Sequence, residues 1–173
     1  MRLFFASWPP PELAQVLTRW ARETQRGGGG RVARENLIHL TLAFLGDADP
    51  AAAIATARAV RTGPTSFRLE IAHYWKHNRI VWVGPREVPP PLAALAQALG
   101  ETRPFAAHVT VIRKARGPGR LPPLPALEWP VTEFALMNSR LEPDGPVYEV
   151  LERFALTQPG SEPTRQADGT EPA

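Results

Sequence analysis

The chain of 173 residues contains no cysteine. That excludes disulfides, a thiolate nucleophile and any metal site built on sulfur, and it fits a cytoplasmic protein. Long apolar runs are missing too: charged residues or prolines interrupt every stretch well short of a membrane span. The opening MRLFFASWPPPELAQ has too short an apolar run for a signal peptide and leads into prolines, not a small-residue cleavage site. Charge of neither sign dominates, with 20 Lys and Arg against 17 Asp and Glu, a net of +3. Ser161–Ala173 holds three acids and one arginine, which leaves the rest at about +5, mostly from Arg. Such a surface suits a phosphate-bearing partner, but on charge alone a merely solvated Arg-rich surface is the better account. A chain of this length suits one domain, or two small lobes sharing a core.

What is present is a short pattern that occurs twice, His39-Leu40-Thr41-Leu42 and His108-Val109-Thr110-Val111. Alternate residues of a strand point the same way, so each histidine shares a face with its threonine and the aliphatic residues face the core. The surroundings repeat as well. Arg2–Ala6 leads through Pro9-Pro10-Pro11 to the helical stretch ELAQVLTRWARE, and Arg79–Gly84 leads through Pro89-Pro90-Pro91 to LAALAQALGE. Proline is tolerated in a first helical turn, so both triplets start helices. Asp49 and Pro50 read as N-cap and first residue of another helix, Ala51–Arg61. GPGRLPPLPALEWP reads as an irregular loop.

Two hairpins complete the pattern. Phe67–His77 alternates as one strand and turns near Asn78 into Arg79–Gly84; Thr132–Leu141 and Val147–Thr157 flank the turn Glu142–Pro146. The expected fold is α+β, with two pseudo-symmetric lobes around a central cleft. Each lobe is an antiparallel sheet with packed helices. Residues 1–157 form this single bilobal domain, and the polar segment 158–173 reads as disordered.

Two imidazoles facing one cleft can act as base and acid near neutral pH. A phosphodiester requires both, to activate the attacking oxygen and to protonate the leaving alkoxide, with fixed donors such as Thr41 and Thr110 on the non-bridging oxygens. Satisfied core histidines beside threonines that merely favour strands are the plain alternative. The repetition argues for chemistry. Five residues after each histidine stand Phe44 and Arg113, which simple alternation sends to the opposite face unless a bulge re-aims them. His73 and His77 lie about 13 Å apart along a strand, too far to share a metal. His73 reads as a packed or cleft-wall residue, and His77 as exposed at a turn. Gly27–Gly30 before Arg31 lacks a phosphate-loop pattern and reads as a flexible connector. Ser139-Arg140 has no role assignable from sequence.

HLTLAFLG and HVTVIRK resemble the paired H-x-T-x motifs of the 2H phosphoesterase superfamily. RLFFASWPPPE and SRLEPDGPVYEVLERFAL resemble its bacterial and archaeal branch, the RNA 2′,3′-cyclic phosphodiesterases once named 2′-5′ RNA ligases. The likeness runs from about Arg2 to Leu156, with Ala107 standing where relatives often have proline. The resemblance implies hydrolysis of a terminal 2′,3′-cyclic phosphate to a 2′-phosphate, without metal or nucleotide cofactor, and a reversible 2′-5′ ligase reaction. It implies His39 and His108 as the acid–base pair and Thr41 and Thr110 as phosphate ligands. Phe44 would stack on a base and Arg113 would lie near the phosphate. His108 is read as the base for water and His39 as the acid. The implied partner is an RNA end bearing 2′,3′-cyclic phosphate, with no membrane and no obligate protein partner. Small cyclic nucleotides, ADP-ribose cyclic phosphate and a non-catalytic RNA-end binder remain alternatives.

Overall fold

A computed structural model describes residues 1–158, so the tail expected to be disordered at 158–173 lies almost wholly outside the described residues. The helices begin where proline and aspartate direct. In α1 (Pro11–Gly28) and α3 (Pro90–Ala98), Pro10 and Pro89 occupy the cap and the next proline opens the first turn, where its missing N–H has no partner to lose. In α2 (Pro50–Arg58), the Asp49 carboxylate accepts a hydrogen bond from the Ala52 N–H at 3.1 Å. This helix ends three residues before the expected Arg61, whose guanidinium instead donates to the carbonyls of Arg58 and Val60. Helix α1 runs five residues past the expected Glu23. Its stripe of Leu13, Leu17, Trp20, Ala21 and Thr24 is buried on one side, as helical spacing requires.

Ten strands occur among the described residues. The first sheet orders β10 (Gly145–Ala155), β9 (Glu133–Glu142), β1 (Arg2–Ser7) and β3 (Leu40–Asp47). The second orders β2 (Arg31–Val32), β7 (Val109–Arg113), β6 (Ile80–Gly84) and β5 (Ile71–Trp75), and β4 (Thr65–Leu69) pairs with β8 (Leu127–Val131). All pairs are antiparallel. The repeat is visible here: β1 beside β3 in one sheet corresponds to β6 beside β7 in the other. The helices, however, are exchanged. Helix α1, from the first half, packs mainly on β2 and β7, whereas α3, from the second half, packs on β3 and β4. One hydrophobic cluster therefore runs through both halves, from Leu3 and Leu17 to Leu95, Val109 and Trp129.

Three expectations need correction. Phe67–His77 is not one strand: β4 and β5 belong to different sheets, and the chain breaks between them at exposed Glu70. The Glu70 N–H donates to the Gly84 carbonyl at 2.9 Å, and the alternation reverses there. Phe67 and Leu69 face the core before the break, and Ala72 and Tyr74 pack against it afterwards. The segment 117–130 is not wholly irregular, since Leu127–Val131 forms β8. Pro130 is tolerated because β8 pairs on one side only. Finally, Gly27–Gly30 is no flexible connector. A Cβ on Gly28 would lie 2.6 Å from the Gly117 carbonyl oxygen, and one on Gly30 (φ +91°) would lie 2.7 Å from that of Arg113.

Candidate active site

Each H-x-T-x motif starts at the mouth of its strand, with His39 directly before β3 and His108 directly before β7. Leu40, Leu42, Val109 and Val111 are buried, so the intervening threonines face the other way, as the alternation predicts. Both strands then bulge at the same offset. Phe5 pairs with Ala43 and Ala6 with Thr41, leaving Leu42 as the extra residue; Val81 pairs with Ile112 and Trp82 with Thr110, leaving Val111 as its counterpart. A bulge turns two successive residues inward and reverses the alternation beyond it. Phe44 and Arg113 are thereby returned to the histidine face, both exposed, Phe44 to 48%. Simple alternation gives the wrong face for both.

The histidines are held alike. His39 Nδ1 donates to the Leu37 carbonyl at 2.7 Å, and His108 Nδ1 donates to the Ala106 carbonyl at 2.8 Å. A carbonyl can only accept, so the neutral rings carry their proton on Nδ1 and keep the Nε2 lone pair for chemistry. Each ring also leans on tryptophan. Trp8 stacks on His39 with centroids 5.0 Å apart, its indole N–H donating to the Asn36 carbonyl, and Trp75 lies 4.7 Å from His108. Phe4 and the edge of Tyr148 complete the enclosure of His39 at 5.5 and 5.4 Å. Trp8, Trp75 and Tyr148 escaped the sequence reading, although Trp8 and Tyr148 lie inside the segments that carry the resemblance.

Both motifs open into one cleft of about 690 Å³, lined by His39, Thr41, His108, Thr110 and Arg113. An adjoining hollow of about 420 Å³ adds Phe44 and Ser139 and shares His39, Thr41, Arg113 and Leu141. The pKa of His39 is lowered to about 4, chiefly by burial, with the bond to Leu37 opposing the shift and the nearby Arg113 and His108 adding to it. Burial also lowers that of His108, offset by the bond to Ala106, and Arg113 adds to the lowering. Two neutral, desolvated imidazoles beside an arginine make a pocket for an anion. Arg2 lies over the Phe44 ring at 5.2 Å. His73 is exposed beside Trp82, and His77 is exposed at its turn. Among the described residues no cluster of three His, Asp or Glu could hold a metal ion.

Two such rings in one cleft can take up and release protons beside an anionic group. Residues 8–82 match the family described as LigT like Phosphoesterase. The chain is 36% identical to the RNA 2′,3′-cyclic phosphodiesterase of Escherichia coli (strain K12), over 91% of this chain and 97% of that protein. It is 33% identical to the protein of the same name from Thermus thermophilus, over 98% and 96%. The crystal structure of E. coli LigT complexed with 3′-AMP superposes with a TM-score of 0.82 at 33% identity, covering 91% of this chain and 98% of that one. The chain belongs to the LigT-like phosphoesterase family.

Proposed function

We propose that this protein is an RNA 2′,3′-cyclic phosphodiesterase that opens the terminal ring to a 2′-phosphate and a free 3′-hydroxyl. One observation carries the reading: two imidazoles, each tied back through Nδ1, share a cleft with a threonine apiece and one arginine. His108 Nε2 takes a proton from water as its oxygen attacks phosphorus. The bond to the 3′ oxygen breaks, and His39, which takes up a proton on Nε2 as the phosphodiester anion binds beside it, gives that proton to the leaving oxygen. Thr41 and Thr110 donate to the non-bridging oxygens, and Arg113 balances the charge that builds on them. Phe44 offers a face for the terminal base. The same ring opening with an RNA 5′-hydroxyl in place of water makes a 2′-5′ bond and frees the 3′-hydroxyl, and its reverse cleaves that bond. The reading needs neither metal nor nucleotide cofactor, and it places the protein where RNA is cut, in the cytoplasm. No helix among the described residues is long and apolar enough to cross a membrane.

An oligonucleotide ending in 2′,3′-cyclic phosphate, incubated with EDTA, tests it. The end should become a 2′-phosphate, and His39→Ala or His108→Ala should abolish conversion. Unchanged ends bound tightly would make the protein a binder; faster turnover of a mononucleotide or of ADP-ribose cyclic phosphate would make it a small-molecule enzyme. A substrate with an activated leaving group separates the two roles, because it rescues loss of the acid and not of the base. His39→Ala should be the variant rescued.

A further inference from the structure

We propose that Arg31, Arg34 and Lys114 form a second anion subsite in the cleft, which holds the phosphate on the 5′ side of the terminal nucleotide. A strand of RNA, and not a mononucleotide, is then the preferred substrate. The proposal rests on the cleft's reading as an RNA-end site. All three residues line the same cleft as the two motifs: Arg31 lies in β2, Arg34 two residues past that strand and Lys114 directly after β7.

The fold holds positive charge together there against its own stability. Arg31 is the direct cross-strand partner of Arg113, a like-charge pair that a sheet ordinarily avoids. The ion pairs found among the described residues join Arg58 to Glu152, Arg103 to Glu101 and Arg153 to Glu133, so none relieves this wall. Lys114 adopts φ +55°, a left-handed conformation that is unfavourable for a residue with a side chain. Successive residues of a regular strand face opposite ways, yet Arg113 and Lys114 line one cleft, because the chain turns at Lys114. The turn is fastened by the Ala115 N–H, which donates to the carbonyl of Arg79, itself at φ +55°.

Glycine brings Arg31 to this position. Gly30 lies so close to the Arg113 carbonyl that only hydrogen fits, which lets β2 dock on β7. The opposite rim carries the reverse sign, since Glu142 and Asp144 line the cleft from the β9–β10 turn. A polyanion entering this field is drawn to the β2–β7 wall and repelled from the hairpin. With one phosphate beside Arg113, the adjacent arginine and lysine heads suit the next phosphate along the strand.

The test is binding and turnover of paired ligands in 50 mM salt by the full chain and by Arg31→Gln/Arg34→Gln/Lys114→Gln. A dinucleotide ending in a 2′-phosphate should bind roughly tenfold tighter than the nucleoside 2′-phosphate, the yield of three exposed cations on one phosphate. A nucleoside 2′,5′-bisphosphate should recover most of that gain. Raising salt to 200 mM should shrink it about 2.5-fold, as one single-strand phosphate contact requires. The triple variant should lose the dinucleotide's advantage in both binding and kcat/KM. Equal binding of mono- and dinucleotide, or an advantage that survives in the variant, overturns the subsite even if cyclic phosphate is turned over normally. A dinucleotide advantage lost in the variant, without turnover of any cyclic phosphate, upholds the subsite and sinks the hydrolase reading.

Discussion

His39 and His108 are anchored alike but enclosed differently, and the difference sets what each proton costs. Three aromatic rings crowd His39 and bring its pKa to about 4 in the empty cleft. To act as the acid it must be protonated by the substrate's arrival, because a phosphodiester anion beside the ring raises its pKa. In NMR titrations the His39 ring should stay neutral down to about pH 5 when the cleft is empty, and titrate at a higher pH once a nucleoside 2′-phosphate binds. A pKa unmoved by the ligand makes His39 the base. The same enclosure couples to stability with a definite sign. The folded pKa lies below the ordinary 6.5, so the neutral ring's contribution is complete above pH 6.5 and fades as pH falls towards 4. Unfolding free energies of the protein and of His39→Gln, from urea titrations, should diverge over that window by about 2–3 kcal/mol, the variant being the less acid-sensitive. The threonines are tested by truncation. Thr41→Ala or Thr110→Ala should lower kcat by about 10²–10³ if they donate to the phosphate as oxyanion donors do, and a loss under threefold removes them from it.

At the scale of the element, alternation read the histidines and threonines correctly and failed at the fifth residue. Nothing in Leu42-Ala43 or Val111-Ile112 marks a bulge, because an extra residue in a strand shows only against its partner's register. The repeat itself held the clue: two residues of such different chemistry as Phe44 and Arg113 sit at one offset, exposed on the side where a substrate lies. Pro130 misled for a related reason, as only pairing partners show that β8 has a free edge. The prolines and Asp49 were legible because caps and first turns are decided within a few residues. Gly27–Gly30 was opaque, since what forbids a side chain there comes from residues about 90 positions away. Gly30→Ala should therefore act at a distance. Its Cβ meets the Arg113 carbonyl and its φ is positive, so the protein should lose more than about 1 kcal/mol of stability. The variant's kcat/KM should fall with it, as β2 and the end of β7 separate; unchanged kinetics in a destabilised variant would detach this turn from the site.

Across the whole molecule, the exchange of helices makes the cleft a product of both halves. Each sheet supplies one histidine, yet each is covered by the helix that the other half encodes, and the core between them is continuous. A sequence repeat of strand, proline triplet, helix and H-x-T-x strand suggests self-contained lobes, because periodicity along a chain carries no record of which sheet a helix covers. The consequence is cooperative. Leu17 of α1 and Leu95 of α3 are both fully buried, and truncating either to alanine should cost about 2–5 kcal/mol. If the halves were separate folding units, Leu17→Ala and Leu95→Ala would each split the urea transition into two steps. One shared core predicts a single step, with tryptophan fluorescence and far-UV circular dichroism moving together in each variant. It also predicts that the His39 and His108 resonances vanish at the same denaturant concentration, since neither imidazole keeps its carbonyl partner once the opposite helix departs.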